Sequence, residues 1–400
     1  MERLRKVVNQ IAYAPPSQRL TTLSSLQLSL IPLLSFASHL YRLAIFIRHR
    51  CYQLGFFRKR RLPVPVISVG NLTWGGNGKT PMVEFIARWM ADSGISPLIL
   101  TRGYGGADEA KMLQRHLFGT SVKIGVGANR AATASVFLEK YGYIDFCSSK
   151  ASGNPYSNNK AVSDTLHDEI GAVILDDGMQ HLPLHRDLEI VMVNGMMPWG
   201  NCHLVPVGPL REPLIALSRA DIVVIHHANL VAKQSIEAIQ STIRNVSDSL
   251  PIFLSKMTPS NFIRASDASC KVSLRMVHDE IVLCVSGIGC AESFVQTIMQ
   301  MGPKHVNRLD CSDHHLFQTE DINTIRTRLQ ELEFKFAVKP FVVITEKDYD
   351  RSPEVLKKLD PYEVLVLCSC LQILPQEGYT EDSFKKFLKQ KTVPRRVKNG

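Results

Sequence analysis

The sequence predicts an α/β protein with two domains and an N-terminal helical arm. Three observations carry that expectation. Short, wholly apolar runs such as Ala172-Val173-Ile174-Leu175 alternate with helix-like stretches, the rhythm of a parallel sheet and its crossover helices. The chain of 400 residues exceeds what one typical core accommodates, while 45% hydrophobic and 21% charged residues are ordinary for a globular protein. The positive charge is confined to one end: residues 1–61 carry eleven Lys or Arg against the single acid Glu2, which accounts for the whole net charge of +10.

The most informative stretch is 66–80. Val66-Ile67-Ser68-Val69 runs into Gly70-Asn71-Leu72-Thr73-Trp74-Gly75-Gly76-Asn77-Gly78-Lys79-Thr80. This strand, loop and following helix have the layout of a phosphate-binding P-loop, so the first domain is read as P-loop NTPase-like. Glycines let the backbone curl until successive N–H groups face phosphate oxygens, Lys79 adds a point charge, and the Thr80 hydroxyl suits Mg²⁺. Gly75, Gly76, Asn77, Gly78, Lys79 and Thr80 are the expected nucleotide-binding residues. The common pattern has Gly where this chain has Thr73.

A basic arm on a neutral body points to an anionic membrane surface or an import signal, and away from a nucleic-acid groove. Residues 1–22 are Arg-bearing and poor in acids, as an organellar transit segment is. From 23 to 61, apolar residues at roughly helical spacing (Leu23, Leu26, Leu30, Leu34, Leu43, Ile47) are interrupted by Ser, Thr, Gln and Pro32. One or two amphipathic helices lying in a membrane interface are therefore expected over 23–57, not a span. The nine scattered cysteines include no Cys-x-x-Cys, so neither a zinc site nor a disulfide framework is indicated.

Further strands are expected at 95–101, 122–126, 172–175, 188–193 and 221–225, completing a domain over 62–255. A second α/β domain is expected over 256–390, with strands at 281–285, 341–344 and 364–367. Residues 147–163 read as a polar surface insertion. In a parallel sheet the ligand-bearing side is the carboxyl end of the strands. Asp176 and Asp177 stand there, where NTPases keep the carboxylate that serves Mg²⁺. Asp108 follows the glycine-rich 103–106 loop and suits a base for a hydroxyl acceptor, although local sequence alone equally allows a solvated acid. His314, in Asp313-His314-His315, reads unaided as a structural histidine more readily than a catalytic one. Arg102, Arg130, Arg211 and Lys347 are candidate anion clamps.

Taken together, Val69-Gly70-Asn71-Leu72-Thr73, Gly75-Gly76, Gly78-Lys79-Thr80-Pro81, Arg102-Gly103-Tyr104-Gly105, Asp108-Glu109, Asp176-Asp177-Gly178-x-Gln180-His181, Arg211-Glu212, Asp313-His314 and Thr345-Glu346-Lys347-Asp348 follow one another in a distinctive order. From about residue 20 onward the chain resembles the tetraacyldisaccharide 4′-kinases of lipid A biosynthesis, whose own P-loop carries the Thr. The resemblance implies a membrane-associated enzyme that moves the γ-phosphate of ATP, with Mg²⁺, to the 4′-hydroxyl of an acylated glucosamine disaccharide 1-phosphate, forming lipid IVA. It implies that Asp108 and His314 act together as a base, that Lys79, Thr80, Asp176 and Asp177 serve phosphate and Mg²⁺, and that Tyr104, Arg130, Arg211 and Glu212 bind substrate. The loop after Gly106 is shorter than in many bacterial members, so Asp108 is matched by its Asp-Glu pair. The insertion and the transit-like start suggest the mitochondrial plant version; a bacterial member would sit at the inner membrane. The readings from other classes are a P-loop GTPase or metallochaperone, and a nucleotide-binding membrane scaffold without turnover.

Overall fold

A computed structural model describes residues 2–14, 19–103, 108–144 and 168–392. The expected insertion at 147–163 and the candidate Tyr104 lie outside the described residues. The chain forms two compact units: Met1–Arg102 with Leu117–Ser255 and Ile373–Gly400, and Gly103–His116 with Lys256–Gln372.

In the first unit, β1 (Val66–Asn71), β2 (Ser96–Thr101), β3 (Lys123–Val126), β4 (Ile170–Asp176), β5 (Leu188–Asn194) and β6 (Ile222–His226) form a parallel sheet in the order β6-β5-β1-β4-β2-β3. The first residues of β7 (Ile252–Arg264) add to β6. Strands covered on both faces are largely apolar, and every residue of β1, β4, β5 and β6 is buried. The C-terminal helix Glu381–Thr392 also belongs here, because Phe384 packs its ring 6.1 Å from Phe85 and 5.0 Å from Phe253.

The second unit pairs β9 (Ile281–Ser286), β10 (His305–Asp310), β11 (Phe341–Thr345) and β12 (Val364–Leu374) in parallel, in the order β10-β9-β11-β12, and folds β7 back on β8 (Asp267–Val272) as an antiparallel hairpin. The helix Asp108–His116 is part of this unit. Ion pairs to the helix Glu346–Arg351 hold it there: Lys347 to Glu109 at 3.0 Å, Arg115 to Asp350 at 2.9 Å and His116 to Glu346 at 2.7 Å. The expected ranges, 62–255 and 256–390, share the 255/256 boundary with these units and differ from them elsewhere. The second unit ends at Gln372 and takes 103–116 out of the first.

The N-terminal arm packs on the rest of the first unit through two helices. Within residues 1–22, expected as a transit segment, the helix Glu2–Tyr13 buries Ile11 and Ala12 completely, and Ile11 shares a core cluster with Ala14, Leu23 and Val207. Asn201 seals the junction, donating from Nδ2 to the Ile11 carbonyl (3.2 Å) and the Val207 carbonyl (2.7 Å), while its own N–H donates to Ala12 (3.0 Å). Over 23–57, where one or two helices are expected, a single 29-residue helix, Ser25–Gln53, is started by a Ser24–Gln27 capping box. By length and composition alone it is apolar enough to cross a bilayer, against the reading of the polar interruptions as excluding a span. Polar groups dock one side of it on the first unit: Ser38 donates to the Leu204 carbonyl at 2.9 Å, Tyr41 to the Arg211 carbonyl at 3.0 Å and Arg48 to the Gln180 carbonyl at 3.0 Å. The opposite side exposes Leu26, Leu33, Phe36, Leu40, Leu43 and Ile47.

Because Ile11 lies in a packed cluster, Ile11→Ala is expected to cost about 2–5 kcal/mol in chemical denaturation. Deletion of residues 1–14 should lower the thermal midpoint by several degrees. Unchanged stability in both variants would show that the segment is separable from the body.

Candidate functional site

The carboxyl ends of β1, β4, β5 and β6 meet at the glycine loop. Gly75 and Gly78 adopt φ of 96° and 76°, a backbone region that side chains disfavour. A Cβ on Gly78 would lie 2.5 Å from the His226 ring, so that position also has no room. The loop is knotted by its own polar side chains: Asn71 donates to the Thr73 carbonyl (2.6 Å), Thr73 Oγ1 to Asn77 Oδ1 (3.2 Å), and Asn77 to the Gly75 carbonyl (2.9 Å). Asn194, ending β5, donates to the Gly76 carbonyl at 2.9 Å. Thr73 thus supplies a bond that glycine lacks. The proline-rich segment before Arg211 braces the outside, with Trp74 N–H donating to the Pro209 carbonyl (3.0 Å) and Arg211 N–H to the Leu72 carbonyl (2.6 Å). Gly78 then opens the helix Lys79–Asp92, whose first N–H groups form an anion site.

Register places the acids. Val69 of β1 is level with Asp176 of β4, so Asp176 leaves the sheet beside the loop, where the Thr80 hydroxyl donates to its Oδ2 at 3.3 Å. Asp177 follows in a left-handed conformation (φ 51°) and is clasped by Arg211, whose Nη1 and Nη2 donate to the two carboxylate oxygens at 2.9 and 2.7 Å, with Lys79 Nζ at 3.7 Å. Arg211 also bonds the Asn71 side chain. Burial raises the Asp177 pKa, but the charges of Lys79 and Arg211 outweigh it and hold the carboxyl well below the usual range. Hard oxygen donors at Thr80 and Asp176, beside a phosphate loop, match the preference of Mg²⁺. Asp177, expected in the same role, has its oxygens engaged by two cations.

Two further candidates are placed differently from expectation. Arg130, expected as a substrate clamp, is 2% exposed and donates to the backbone carbonyls of Asp176 (2.6 Å) and Asp177 (3.0 Å). Burial lowers its pKa and the two aspartates oppose that shift. Glu212, also expected at substrate, is 3% exposed, paired with Arg219 and 3.4 Å from His49 of the arm helix. Both side chains are turned into the protein. Sequence reading passed over Arg186, which donates to the carbonyls of Gly178 (2.8 Å), Met179 (3.2 Å) and His181 (2.6 Å) while pairing with Glu189 at 3.0 Å. Its spacing from the Asp176-Asp177 turn is a signal only once that turn is known to need its carbonyls satisfied.

In the second unit, His314 follows β10 in a left-handed turn (φ 62°), its N–H donating to the Gly287 carbonyl at 3.1 Å and its Nε2 3.8 Å from Asp313. Asp108 opens the helix Asp108–His116. The Asp348 carboxylate, which in a GTPase-like reading would face a guanine base, is fully buried and accepts from Gly287 N–H (3.0 Å), Thr345 Oγ1 (2.6 Å) and Arg351 (3.0 Å). It is therefore closed to a base.

The family model described as tetraacyldisaccharide-1-P 4′-kinase, LpxK, matches residues 30–392. The chain belongs to this kinase family. An Arabidopsis thaliana protein named "Probable tetraacyldisaccharide 4'-kinase, mitochondrial" is 55% identical over 384 residues, 96% of either chain. A tetraacyldisaccharide 4′-kinase of Syntrophus aciditrophicus is 33% identical over 379 residues, covering 87% of this chain and 90% of its own. The crystal structure of LpxK from Aquifex aeolicus in complex with ATP superposes with a TM-score of 0.58 at 24% identity, over 91% of this chain and 98% of that one, and shares the fold.

Three histidines of the first unit are held neutral. Burial lowers His226 strongly and His227 to about 4; burial, then Arg130, Arg186, Arg48 and Arg102, lower His181 to about 4. Between about pH 4 and 6.5 the unfolded chain binds protons there that the folded chain does not, so stability rises with pH across that window and levels off above it. For His227 alone the effect reaches about 3 kcal/mol. The urea midpoint should be lower at pH 5 than at pH 7.5, and His227→Asn should narrow the difference; an equal difference in the variant would remove His227 as a source.

Proposed function

We propose that this member of the family is an ATP-dependent lipid kinase that transfers the γ-phosphoryl group to the 4′-hydroxyl of a tetraacyl glucosamine disaccharide 1-phosphate, giving lipid IVA. The observation that carries this reading is the junction of the glycine loop with the aspartate turn, through Thr80 to Asp176 and through Lys79 and Arg211 to Asp177. In this reading the loop amides and Lys79 take up charge on the phosphoryl oxygens. Thr80 and Asp176 would hold Mg²⁺, which when bound neutralises phosphate charge. Asp177 keeps Lys79 and Arg211 in place, and Arg130 and Arg186 fix the turn from behind. Asp108 with His314 accepts the 4′-hydroxyl proton as that oxygen bonds to phosphorus and the bond to ADP breaks. Tyr104 remains a proposed substrate contact.

The arm supports a membrane-associated reading, and the name of the Arabidopsis relative supports a mitochondrial one. The arm helix turns Leu33, Phe36, Leu40 and Leu43 outward, and Arg42 and Arg50 stand on the same helix to meet anionic lipid. Serines in place of those four apolar residues should sharply reduce sedimentation with anionic vesicles; equal binding would count against the arm as anchor.

Incubation with ATP and the acylated disaccharide 1-phosphate should yield the 4′-phosphorylated product. Lys79→Ala and Asp108→Ala are each expected to lower kcat by about 100-fold or more. Gly78→Ala, which forces a Cβ into His226, should weaken ATP binding at least tenfold by calorimetry. Full rates in the first two variants would exclude the assigned roles.

A further inference from the structure

The segment Thr345-Glu346-Lys347-Asp348 has no role in the transfer as described, yet it bonds neighbours of both groups assigned to the acceptor proton: Glu109 beside Asp108, and Gly287, which accepts the His314 N–H. It closes β11 and opens the helix Glu346–Arg351. Towards the His314 turn, Asp348 accepts from Gly287 N–H and from Arg351, and Arg351 donates onward to the carbonyls of Gly287 (3.2 Å) and His315 (3.0 Å). Gly287 in turn accepts the His314 N–H, and a Cβ there would sit 3.2 Å from Asp348 and 3.3 Å from the His315 Cβ. His314 occupies a left-handed conformation that a non-glycine residue keeps only when its surroundings impose it. Towards the Asp108 helix, the next residues along provide Lys347 to Glu109 (3.0 Å), Glu346 to His116 (2.7 Å) and Arg115 (3.1 Å), and Asp350 to Arg115 (2.9 Å). One short helix therefore holds the turn that carries His314 with its buried side and the helix that begins at Asp108 with its outer side.

We propose that the helix Glu346–Arg351 is a bracket that sets the separation of Asp108 and His314, with Glu109, Lys347 and Asp348 as positioning residues for proton removal. This rests on the reading of Asp108 and His314 as the base. A geometric device of this kind acts on the chemical step, because misplacement of a base by about 1 Å costs on the order of a hundredfold in rate. It leaves the P-loop alone, since none of these residues belongs to it.

The test uses the partly exposed pair, so that folding is preserved. Glu109→Lys and Lys347→Glu should each lower kcat tenfold or more and shift the acid limb of the kcat–pH profile, with the dissociation constant for ATP and the thermal midpoint unchanged. The double charge reversal should restore kcat to within about threefold, since it re-forms the pair with opposite polarity. Asp348→Asn is the buried counterpart, expected to lower kcat with ATP affinity retained. Asp108→Ala and His314→Ala run alongside. If those two keep the full rate, the base assignment falls and the bracket falls with it. If they lose the rate while Glu109→Lys keeps wild-type kcat and pH profile, the bracket alone is overturned. A loss of kcat, ATP affinity and thermal midpoint together, without recovery in the double reversal, also overturns it.

Discussion

The Asp177 carboxylate is the interaction on which the first unit's site depends. It binds Arg211 from the proline-rich loop and Lys79 from the glycine loop, and its backbone carbonyl accepts from Arg130. Three segments far apart in sequence are drawn to one turn. A left-handed residue at that turn has a conformational cost, and the surrounding cations offset it. Arg130 and Arg186 extend the same logic to the backbone: the carbonyls of residues 176–179 and 181 point into protein, where each needs a donor. Guanidinium groups satisfy several carbonyls at once, which lysine does less well.

The arm obeys a different constraint. On a soluble surface helix the apolar stripe faces the body, whereas Ser25–Gln53 sends many of its largest apolar side chains outward and bonds to the body through Ser38, Tyr41, Arg48 and His49. Ser38, one of the polar residues that argued against a continuous apolar run, holds the helix to the segment around Leu204, and Tyr41 holds it to Arg211. Docking by hydrogen bonds leaves the apolar side available to a non-aqueous partner.

Much of the sheet was legible because parallel strands buried on both faces are largely apolar, as in β1, β4, β5, β6 and β9. The hairpin partner β8 and the edge strand β10 escaped notice for the complementary reason: they are largely exposed or half-buried, and their residues (Asp267–Val272, His305–Asp310) read as polar linkers. The placement of Asp108–His116 in the second unit was equally hidden, since it depends on ion pairs more than 200 residues apart.

The sequence by itself determined the chemistry available: a glycine loop ending in Lys79-Thr80, acids at the end of an apolar strand, and a family-specific order of motifs. Local spacing encodes these, because each motif acts within a few residues of itself. Only the tertiary structure decided how the charges are used. Arg130 and Glu212 looked like surface groups for a ligand and are internal, while the Asp177 carboxylate, expected at Mg²⁺, meets Lys79 and Arg211. A charged side chain carries no mark in the sequence of whether it will meet solvent, substrate or a buried carbonyl. That depends on which distant segment the fold brings against it.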